Sequence, residues 1–255
     1  MSLTPPQNFD LHRALSRGEI FAVFQPEIDL TTGVVVAVEA LCRWLHPATG
    51  MIAPADFIPD AERTGAIHEL GQFMLETCLT AAADWRDSGA DISVSVNVSP
   101  LQFDAPTFVE DLAERIRSRG LQDGALTVEI TESMPVAHPE TLAARLGQLR
   151  SLGVGLALDD YGTGHSSAAQ VTRLPWTEIK IDRTLVQSND ADAVHGRESV
   201  MHEARVRGLT VVAEGVETSA QLTMVRDLGC HRAQGYLLGR PMPAAEIDEL
   251  LTTAS

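Results

Sequence analysis

The chain has 255 residues, 44% hydrophobic and 21% charged, which is enough to bury one sizeable core. Its formal charge of −16 excludes a nucleic-acid binder that works by neutralising phosphates, because such a protein carries the opposite sign. Its longest apolar runs, such as residues 34–38, are far too short to span a bilayer, so we expect no membrane contact.

The N-terminal sequence and the cysteine pattern indicate the cellular compartment of the protein. Residues 1–10 have no cationic start and no apolar stretch, so we expect no signal peptide. Cys42, Cys78 and Cys230 lie far apart and lack CxxC spacing. This pattern argues against a zinc site and favours reduced thiols, so we expect a cytoplasmic protein.

Short β-branched runs alternate with longer amphipathic segments along the whole chain. In chain order, the predicted strands cover residues 21–29, 34–44, 91–98, 126–131, 155–160, 178–181 and 210–214, with a weaker one near 233–237. The predicted helices cover residues 54–64, 67–88, 107–119, 139–152, 192–207, 219–228 and 244–252. Pro54 and Pro139 suit first helical turns, and Gly120, Gly153 and Gly208 follow basic last turns, as is typical of helix C-termini.

This alternation predicts a parallel sheet of the α/β class, and eight strands suggest closure into a TIM-like (β/α)₈ barrel. The first two strands are joined by only a few residues around 31–33, which suits a hairpin and is too short for a parallel crossover. We therefore predict one antiparallel strand in the barrel. Because no linker or repeat interrupts the sequence, we expect a single domain over residues 1–255, with a core of about 15–252.

Polar side chains recur at the ends of the predicted strands. They are Glu39, Asn97, Glu129, Asp159 with Asp160, Lys180 with Asp182, Glu214 and Gln234; Glu132 and Glu217 follow closely behind two of them. Because the C-terminal ends of parallel barrel strands converge on one face, we expect these side chains to share one mouth.

Many carboxylates in one pocket would repel each other and would be costly to desolvate unless cations intervened. Oxygen ligands without His or Cys select Mg²⁺ or Mn²⁺ over zinc. The adjacent Asp159 and Asp160 could serve two ions at once, the usual arrangement for in-line attack of water on phosphorus.

Each of these residues also has an ordinary explanation. An acid after a strand is commonly the N-cap of the next helix, and a lysine in a strand commonly lies at the surface. The repetition of the same polar chemistry at one strand end after another is what favours a metal site over a set of caps.

Several ordered motifs resemble the EAL family. They are Glu39-Ala40-Leu41-Cys42-Arg43-Trp44, Asn97-Val98-Ser99, Glu129-Ile130-Thr131-Glu132, Asp159-Asp160-Tyr161-Gly162, Lys180-Ile181-Asp182, Glu214-Gly215-Val216-Glu217 and Gln234-Gly235-Tyr236. The resemblance covers roughly residues 15–252. It implies an EAL barrel with its first strand antiparallel, and metal-dependent hydrolysis of cyclic di-GMP to the linear dinucleotide pGpG. It also implies a homodimer, and an upstream sensor or regulatory protein is a further expected partner.

Carried over position by position, the resemblance implies ligands for two ions. Glu39, Asn97, Glu129 and Asp159 would hold one ion, and Asp159, Asp160 and Glu214 would hold the other. Glu214 is also the candidate general base, and Lys180 would contact the attacking water or the charge developing on the phosphoryl oxygens.

The remaining implied roles concern the substrate and a loop. Gln25, Leu41, Arg43, Asp182 and Gln234 would contact the dinucleotide, with Arg43 binding a phosphate through its guanidinium. Glu132 and Glu217 would support the loop that follows Asp160. That loop departs from the family pattern at Tyr161 and His165, so we expect its regulation to differ.

Three alternatives compete with the interpretation as a cyclic di-GMP phosphodiesterase. They are a catalytically silent cyclic di-GMP receptor, a protein-interaction scaffold, and a magnesium-dependent barrel enzyme that acts on a carbon acid. A receptor or scaffold is expected to have lost some of the ligands or the lysine, and here all are present. The order of the motifs argues against the carbon-acid enzyme.

Overall fold

The fold is built around a closed barrel of eight strands in the computed structural model, which describes residues 10–131, 138–161 and 174–253. The strands are β1 (Ile20–Asp29), β2 (Val35–His46), β3 (Gly50–Ile52), β4 (Ser93–Asn97), β5 (Leu126–Thr131), β6 (Gly155–Tyr161), β7 (Glu178–Ile181), β8 (Thr210–Ala213) and β9 (Arg232–Ala233). Around the barrel their order is β1-β2-β4-β5-β6-β7-β8-β9, and β3 lies outside the ring as an edge strand on β2.

One strand runs against the others. β1 is antiparallel to both of its neighbours, β2 and β9, whereas β2, β4, β5, β6, β7, β8 and β9 are parallel to one another. The short connection between β1 and β2 causes this reversal, since it can only form a hairpin. The predicted TIM-like barrel with one antiparallel strand is confirmed.

Helices surround the barrel and supply its crossover connections. They are α1 (Leu11–Ser16), α2 (Pro54–Thr64), α3 (Ile67–Asp87), α4 (Phe108–Ser118), α5 (Pro139–Ser151), α6 (Arg183–Gln187), α7 (Ala191–Arg207), α8 (Ser219–Leu228) and α9 (Ala244–Thr253), with a 3₁₀ turn at Pro100–Asp104. Within the described ranges, no helix combines the length and the apolarity that crossing a bilayer requires.

The hydrophobic core lies mainly between the barrel and these helices. Alternate residues of each strand face outward and are buried there, among them Val94 and Val96, Leu156 and Leu158, and Ile179 and Ile181. Each such side chain contributes about 1.5–3 kcal/mol relative to an exposed position. The other residues of the same strands point into the barrel, and these form the candidate site.

The weak strand predicted near 233–237 is shorter than expected. Pairing stops at Ala233, and the chain turns at Gly235, where a Cβ atom would lie 2.2 Å from the backbone nitrogen of Val216. Only glycine fits this close approach of the two backbone segments. The turn leaves Gln234 directly at the barrel mouth.

Candidate active site

Seven polar residues meet at one end of the barrel, each from a different strand or from the residue that directly follows it. They are Glu39, Asn97, Glu129, Asp159, Lys180, Glu214 and Gln234. β7, which carries Lys180, is separated from β2, which carries Glu39, by three strands on either side of the ring. Their contact at 3.2 Å therefore crosses the barrel interior.

Lys180 lies at the centre of this group and is fully buried. Its Nζ lies 2.7 Å from Glu214 Oε1, 2.9 Å from Glu129 Oε2 and 3.2 Å from Glu39 Oε2. It is also the single lysine of the chain. A buried ammonium is costly unless carboxylates surround it, and here three do so at once.

Two amides fix the position of Glu39. Asn97 Nδ2 donates to Glu39 Oε1 at 3.0 Å, and Gln234 Nε2 donates to Glu39 Oε2 at 2.6 Å and to Glu214 Oε1 at 3.1 Å. The amide of Gln234 must have this orientation, since its oxygen would otherwise face two carboxylates. Its Oε1 is buried and has no hydrogen-bond partner in the described part of the chain.

Asp159, Asp160 and Glu214 form a tight carboxylate cluster at the mouth. One oxygen from each of the three lies within 4.8 Å of the other two. Successive residues of a regular strand point to opposite faces, but Asp160 adopts a left-handed conformation with φ 58°. Aspartate tolerates this region better than most residues, and the local change allows both aspartates to face the mouth. The Asp160 backbone N–H donates to Asp159 Oδ1 at 2.9 Å.

The carboxylates titrate abnormally because they are crowded and buried. Burial raises the pKa of Glu129 and that of Glu214 well above the usual range, against the opposing charge of Lys180. Burial and the neighbouring Asp159 raise the pKa of Asp160 to about 6. Glu39 is the exception: burial would raise its pKa, but the Lys180 charge and the Gln234 hydrogen bond lower it overall.

Lys180 titrates far from its usual range as well. Burial alone would lower the pKa of Lys180, but the carboxylates of Glu129 and Glu214 raise it well above the ordinary value. The single ammonium is thus outnumbered by anionic groups. This excess of oxygen donors, without Cys or His in the cluster, suits hard divalent cations, so the residues present fit the two-ion site that the fold family implies.

Three further predicted site residues, Gln25, Arg43 and Asp182, make hydrogen bonds of their own. Gln25 is buried and its Nε2 donates to the Gly239 carbonyl at 3.0 Å. Arg43 Nη1 donates to the Cys42 carbonyl at 2.8 Å, and Asp182 Oδ1 caps α6 through the Thr184 backbone N–H at 2.9 Å.

The remaining predicted positions are Glu217, Glu132 and His165. Glu217 is exposed before α8, where its backbone N–H donates to Gln221 Oε1 at 2.8 Å. Glu132 and His165 lie outside the described residues, as does the loop after Tyr161 that Glu132 and Glu217 were expected to support. The roles of Glu132 and Glu217 stay predictions.

A cavity of about 600 Å³ lies beside the mouth, between β2, α2 and α3. Leu41, Ile58 and Met74 line its apolar side, and Asn97, Glu129 and Asp160 line the side next to the charged cluster. Pockets of about 300–1,000 Å³ typically hold small-molecule ligands, with a few polar groups that fix the orientation of the ligand. Cys42 also borders this cavity, and burial raises the pKa of its thiol to about 12, which argues against a reactive thiolate.

Sequence reasoning missed a second polar layer beneath the first. Glu27, Glu178 and Arg232 precede or follow the predicted site residues by two positions, so they point to the same interior face one step deeper. Arg232 Nη1 lies 3.4 Å from Glu178 Oε2 and 3.7 Å from Glu27 Oε2. The period of two along each strand was the signal that could have found them.

Comparison with known proteins identifies the family. The model of the family described as EAL domain matches residues 9–241. The bifunctional diguanylate cyclase/cyclic di-GMP phosphodiesterase MucR of Pseudomonas aeruginosa is 39% identical over 241 residues, 93% of this chain and 35% of MucR. The oxygen sensor protein DosP of Escherichia coli is 38% identical over 93% of this chain and 30% of DosP. The chain thus spans about a third of the length of these relatives.

Solved structures agree with the sequence relatives. The PaMucR phosphodiesterase in complex with c-di-GMP is 38% identical, with a TM-score of 0.87 over 93% of this chain and 98% of that one. The EAL enzyme Bd1971, with cAMP and cyclic-di-GMP bound, is 26% identical, with a TM-score of 0.88 over 94% of this chain and 67% of that one. From the family match and from relatives at this level of identity, the chain belongs to the EAL domain family.

Proposed function

We propose that this chain is a phosphodiesterase that hydrolyses cyclic di-GMP to linear pGpG. The observation that carries the proposal is the convergence of Glu39, Glu129 and Glu214 on Lys180 inside the barrel, beside the cluster of Asp159 and Asp160. Hydrolysis adds water to one phosphorus and breaks its bond to a 3′ oxygen, which leaves a 5′ phosphate. The phosphodiesterase activity in the name of MucR and the c-di-GMP bound in the PaMucR structure support this choice of substrate.

The donor set divides into two groups of ligands for Mg²⁺ or Mn²⁺. One group is Glu39, Asn97, Glu129 and Asp159, and the other is Asp159, Asp160 and Glu214. When bound, the two ions would supply Lewis acidity and lower the pKa of water. The identity of the metal is part of the proposal, since oxygen donors suit either ion.

Lys180 and Glu214 have the properties that the chemical step requires. The ammonium of Lys180 is desolvated, and a fixed positive charge in a dry site stabilises negative charge that develops on phosphoryl oxygens. Glu214 lies beside Asp159 and Asp160 at the mouth, and in this proposal it takes the proton of the attacking water, as the family resemblance implies.

The substrate would lie across the mouth and the adjoining cavity. Among the described residues, the Arg43 guanidinium donates to the Cys42 carbonyl, and in this proposal it turns to a substrate phosphate. Leu41 offers an apolar surface in the cavity, and Gln25, Asp182 and Gln234 lie near the mouth with amide or carboxylate groups. These five residues are the proposed substrate contacts.

Nucleotide chromatography tests the proposal directly. The purified chain is incubated with cyclic di-GMP in Mg²⁺, in Mn²⁺ and in a chelator, and the products are separated. Accumulation of pGpG in the two metal samples only is the expected result. Tight binding without product over hours would favour a receptor. The absence of both binding and product would contradict the proposal.

We also propose that the chain forms a homodimer in the cytoplasm, as a single domain over residues 1–255 that responds to an upstream regulatory protein. The family resemblance supports dimerisation, and α7 exposes two apolar side chains, Val194 at 38% and Val206 at 69%. The three free thiols suit a reducing compartment. Light scattering of the purified chain tests the oligomeric state.

A further inference from the structure

Helix α3 contains a buried glycine, Gly71, at the edge of the cavity beside the mouth. Glycine inside a helix destabilises it relative to alanine, and the backbone of Gly71 is ordinary helix without a positive φ, so conformation does not explain the residue. The explanation is steric. A Cβ atom at this position would overlap the side-chain amide of Gln102, so Gly71 leaves room for that side chain.

Gln102 occupies this space and holds the turn that follows β4. It is 2% exposed, and its Oε1 accepts a hydrogen bond from the Ser99 backbone N–H at 3.1 Å. The Gln102 backbone N–H donates in return to the Ser99 carbonyl at 2.9 Å. Ser99 and Gln102 thus form a capping box at the start of the 3₁₀ turn Pro100–Asp104. The conformation of this turn is fixed by its own side chains and by contact with α3.

The turn is joined directly to residues of the proposed ion site. Asn97 ends β4 two residues before Ser99, and its Nδ2 donates to Glu39 Oε1 at 3.0 Å. Val98, the residue between them, donates its backbone N–H to the Glu129 carbonyl at 2.9 Å. Because one residue separates Ser99 from Asn97, the position of the turn limits where the Asn97 side chain can point.

Asn97 depends on its backbone more than the other ligands proposed for the same ion. Glu39, Glu129 and Asp159 are buried, whereas Asn97 is exposed at the mouth. Its side chain is therefore surrounded by less protein, and its direction depends more on the segment that carries it. Groups that orient metal ligands from outside typically change metal affinity by about 10–100-fold when they are removed.

We propose that Gly71 and Gln102 are a pair of positioning residues for Asn97. Gly71 makes room for the Gln102 amide, Gln102 holds Ser99, and Ser99 fixes the backbone from which Asn97 reaches the ion site. This inference rests on the ion site of the proposed function, but it is measured by metal binding without any turnover.

Two glycine substitutions test the pair. Gly147 is the matched control, because it also lies inside a helix, α5, and among the described residues nothing outside its own helical turn lies within 4 Å of a Cβ placed there. Mn²⁺ binding to the full chain is measured by electron paramagnetic resonance in the absence of nucleotide. In Gly71→Ala we expect one of the two ions to bind about tenfold more weakly. Gly147→Ala should bind both ions as wild type does.

Hydrogen exchange measured by NMR reports on the displaced side chain itself. In Gly71→Ala the Ser99 backbone N–H should lose its acceptor and exchange about fivefold faster, while the amides of β5 exchange at the wild-type rate. Ser99 exchange at the wild-type rate would overturn the role of Gly71. Faster exchange together with wild-type Mn²⁺ affinity would show that the turn does not position Asn97, and would also overturn the proposal.

Gln102→Ala and the double variant complete the test. Because Gly71 acts through Gln102, Gly71→Ala should have no further effect on Mn²⁺ affinity once residue 102 is alanine. Additive losses would contradict the pair. Wild-type affinity in Gln102→Ala would contradict it as well, even if Gly71→Ala does not fold.

The inference and the proposed function fail in different ways. If wild type binds Mn²⁺ but makes no pGpG, the phosphodiesterase function is wrong, while weaker Mn²⁺ binding in Gly71→Ala still supports the pair. If wild type makes pGpG and Gly71→Ala binds Mn²⁺ with unchanged affinity, the function stands and the pair is wrong.

Discussion

The inside of the barrel and the shell around it are made from the same strands, yet they differ completely in chemistry. Outward residues such as Leu156, Leu158 and Ile179 are buried against helices and are apolar, whereas Asp159 and Lys180 beside them point inward and are charged. A shift of one residue along a strand exchanges the two faces. The shell therefore supplies stability, and the interior gives up stability in exchange for a site.

The largest expected effect comes from the interior. Glu39→Ala removes a carboxylate whose two oxygens contact Asn97, Gln234 and Lys180. We expect turnover of cyclic di-GMP to fall to background through loss of a metal ligand, with the fold retained. Product chromatography alongside circular dichroism checks both, and wild-type turnover would show that the assignment of Glu39 as a ligand is wrong.

A substitution in the shell should lower stability and leave the activity of the folded protein unchanged. Leu146 on α5 is fully buried and belongs to the core outside the barrel. Leu146→Ala should lower the free energy of unfolding by about 2–5 kcal/mol, through lost burial and the cavity left behind. Urea unfolding measures this loss, while kcat per folded molecule should match wild type. A selective loss of kcat would show that shell and interior are not separable.

The pH dependence of stability should distinguish the interior from the shell, because Glu27 is a buried, titratable residue of the interior. Its folded-state pKa is about 7 against an ordinary value of 4.5, so the folded state holds the proton more tightly than the unfolded state. Wild type therefore loses stability as pH rises from 4.5 to about 7, and Glu27→Gln lacks this loss.

The metal-free Glu27→Gln variant should accordingly be more stable than wild type above pH 7, on the order of 1–3 kcal/mol, and nearly equal to it near pH 4.5. Denaturant unfolding at pH 5 and pH 8 measures the difference. The same difference at both pH values would contradict the assigned pKa and would show that Glu27 does not titrate within this window.

The smallest effect on stability is expected at the surface. Val206 on α7 is 69% exposed, so Val206→Asp should change the unfolding free energy by less than about 0.5 kcal/mol. The same change should weaken the proposed homodimer, because it places a charge in an apolar contact. Light scattering at several concentrations checks this, and an unchanged dimer would place the interface elsewhere.

Much of the fold could be predicted because the hydrophobic patterns of its strands and helices extend over many residues. The bounds of β5, β7, α2 and α8 agree with the predicted ones, and the hairpin length alone predicted the antiparallel strand. The short elements were missed: α1, β3, the 3₁₀ turn and α6 span six residues or fewer, too few to show a period.

The site could be predicted only to the depth of one layer. Polar residues at strand ends indicated the mouth. The same alternation, extended two residues inward along the strands, would also have indicated Glu27, Glu178 and Arg232. Other features of the site depend on how the chain folds in three dimensions. Nothing local in the sequence indicates that Asp160 is left-handed, or that one lysine pairs with three carboxylates from three strands.

We propose that the carboxylates around Lys180 form a two-ion site for phosphodiester hydrolysis. The decisive experiment is a crystal structure with Mn²⁺ and cyclic di-GMP, with manganese located by anomalous scattering. We predict two peaks, one beside Glu39, Asn97 and Glu129 and one beside Asp160 and Glu214, joined by Asp159, with a substrate phosphate next to them. Manganese bound elsewhere, or a mouth without metal in which Lys180 keeps all three ion pairs, would contradict the account.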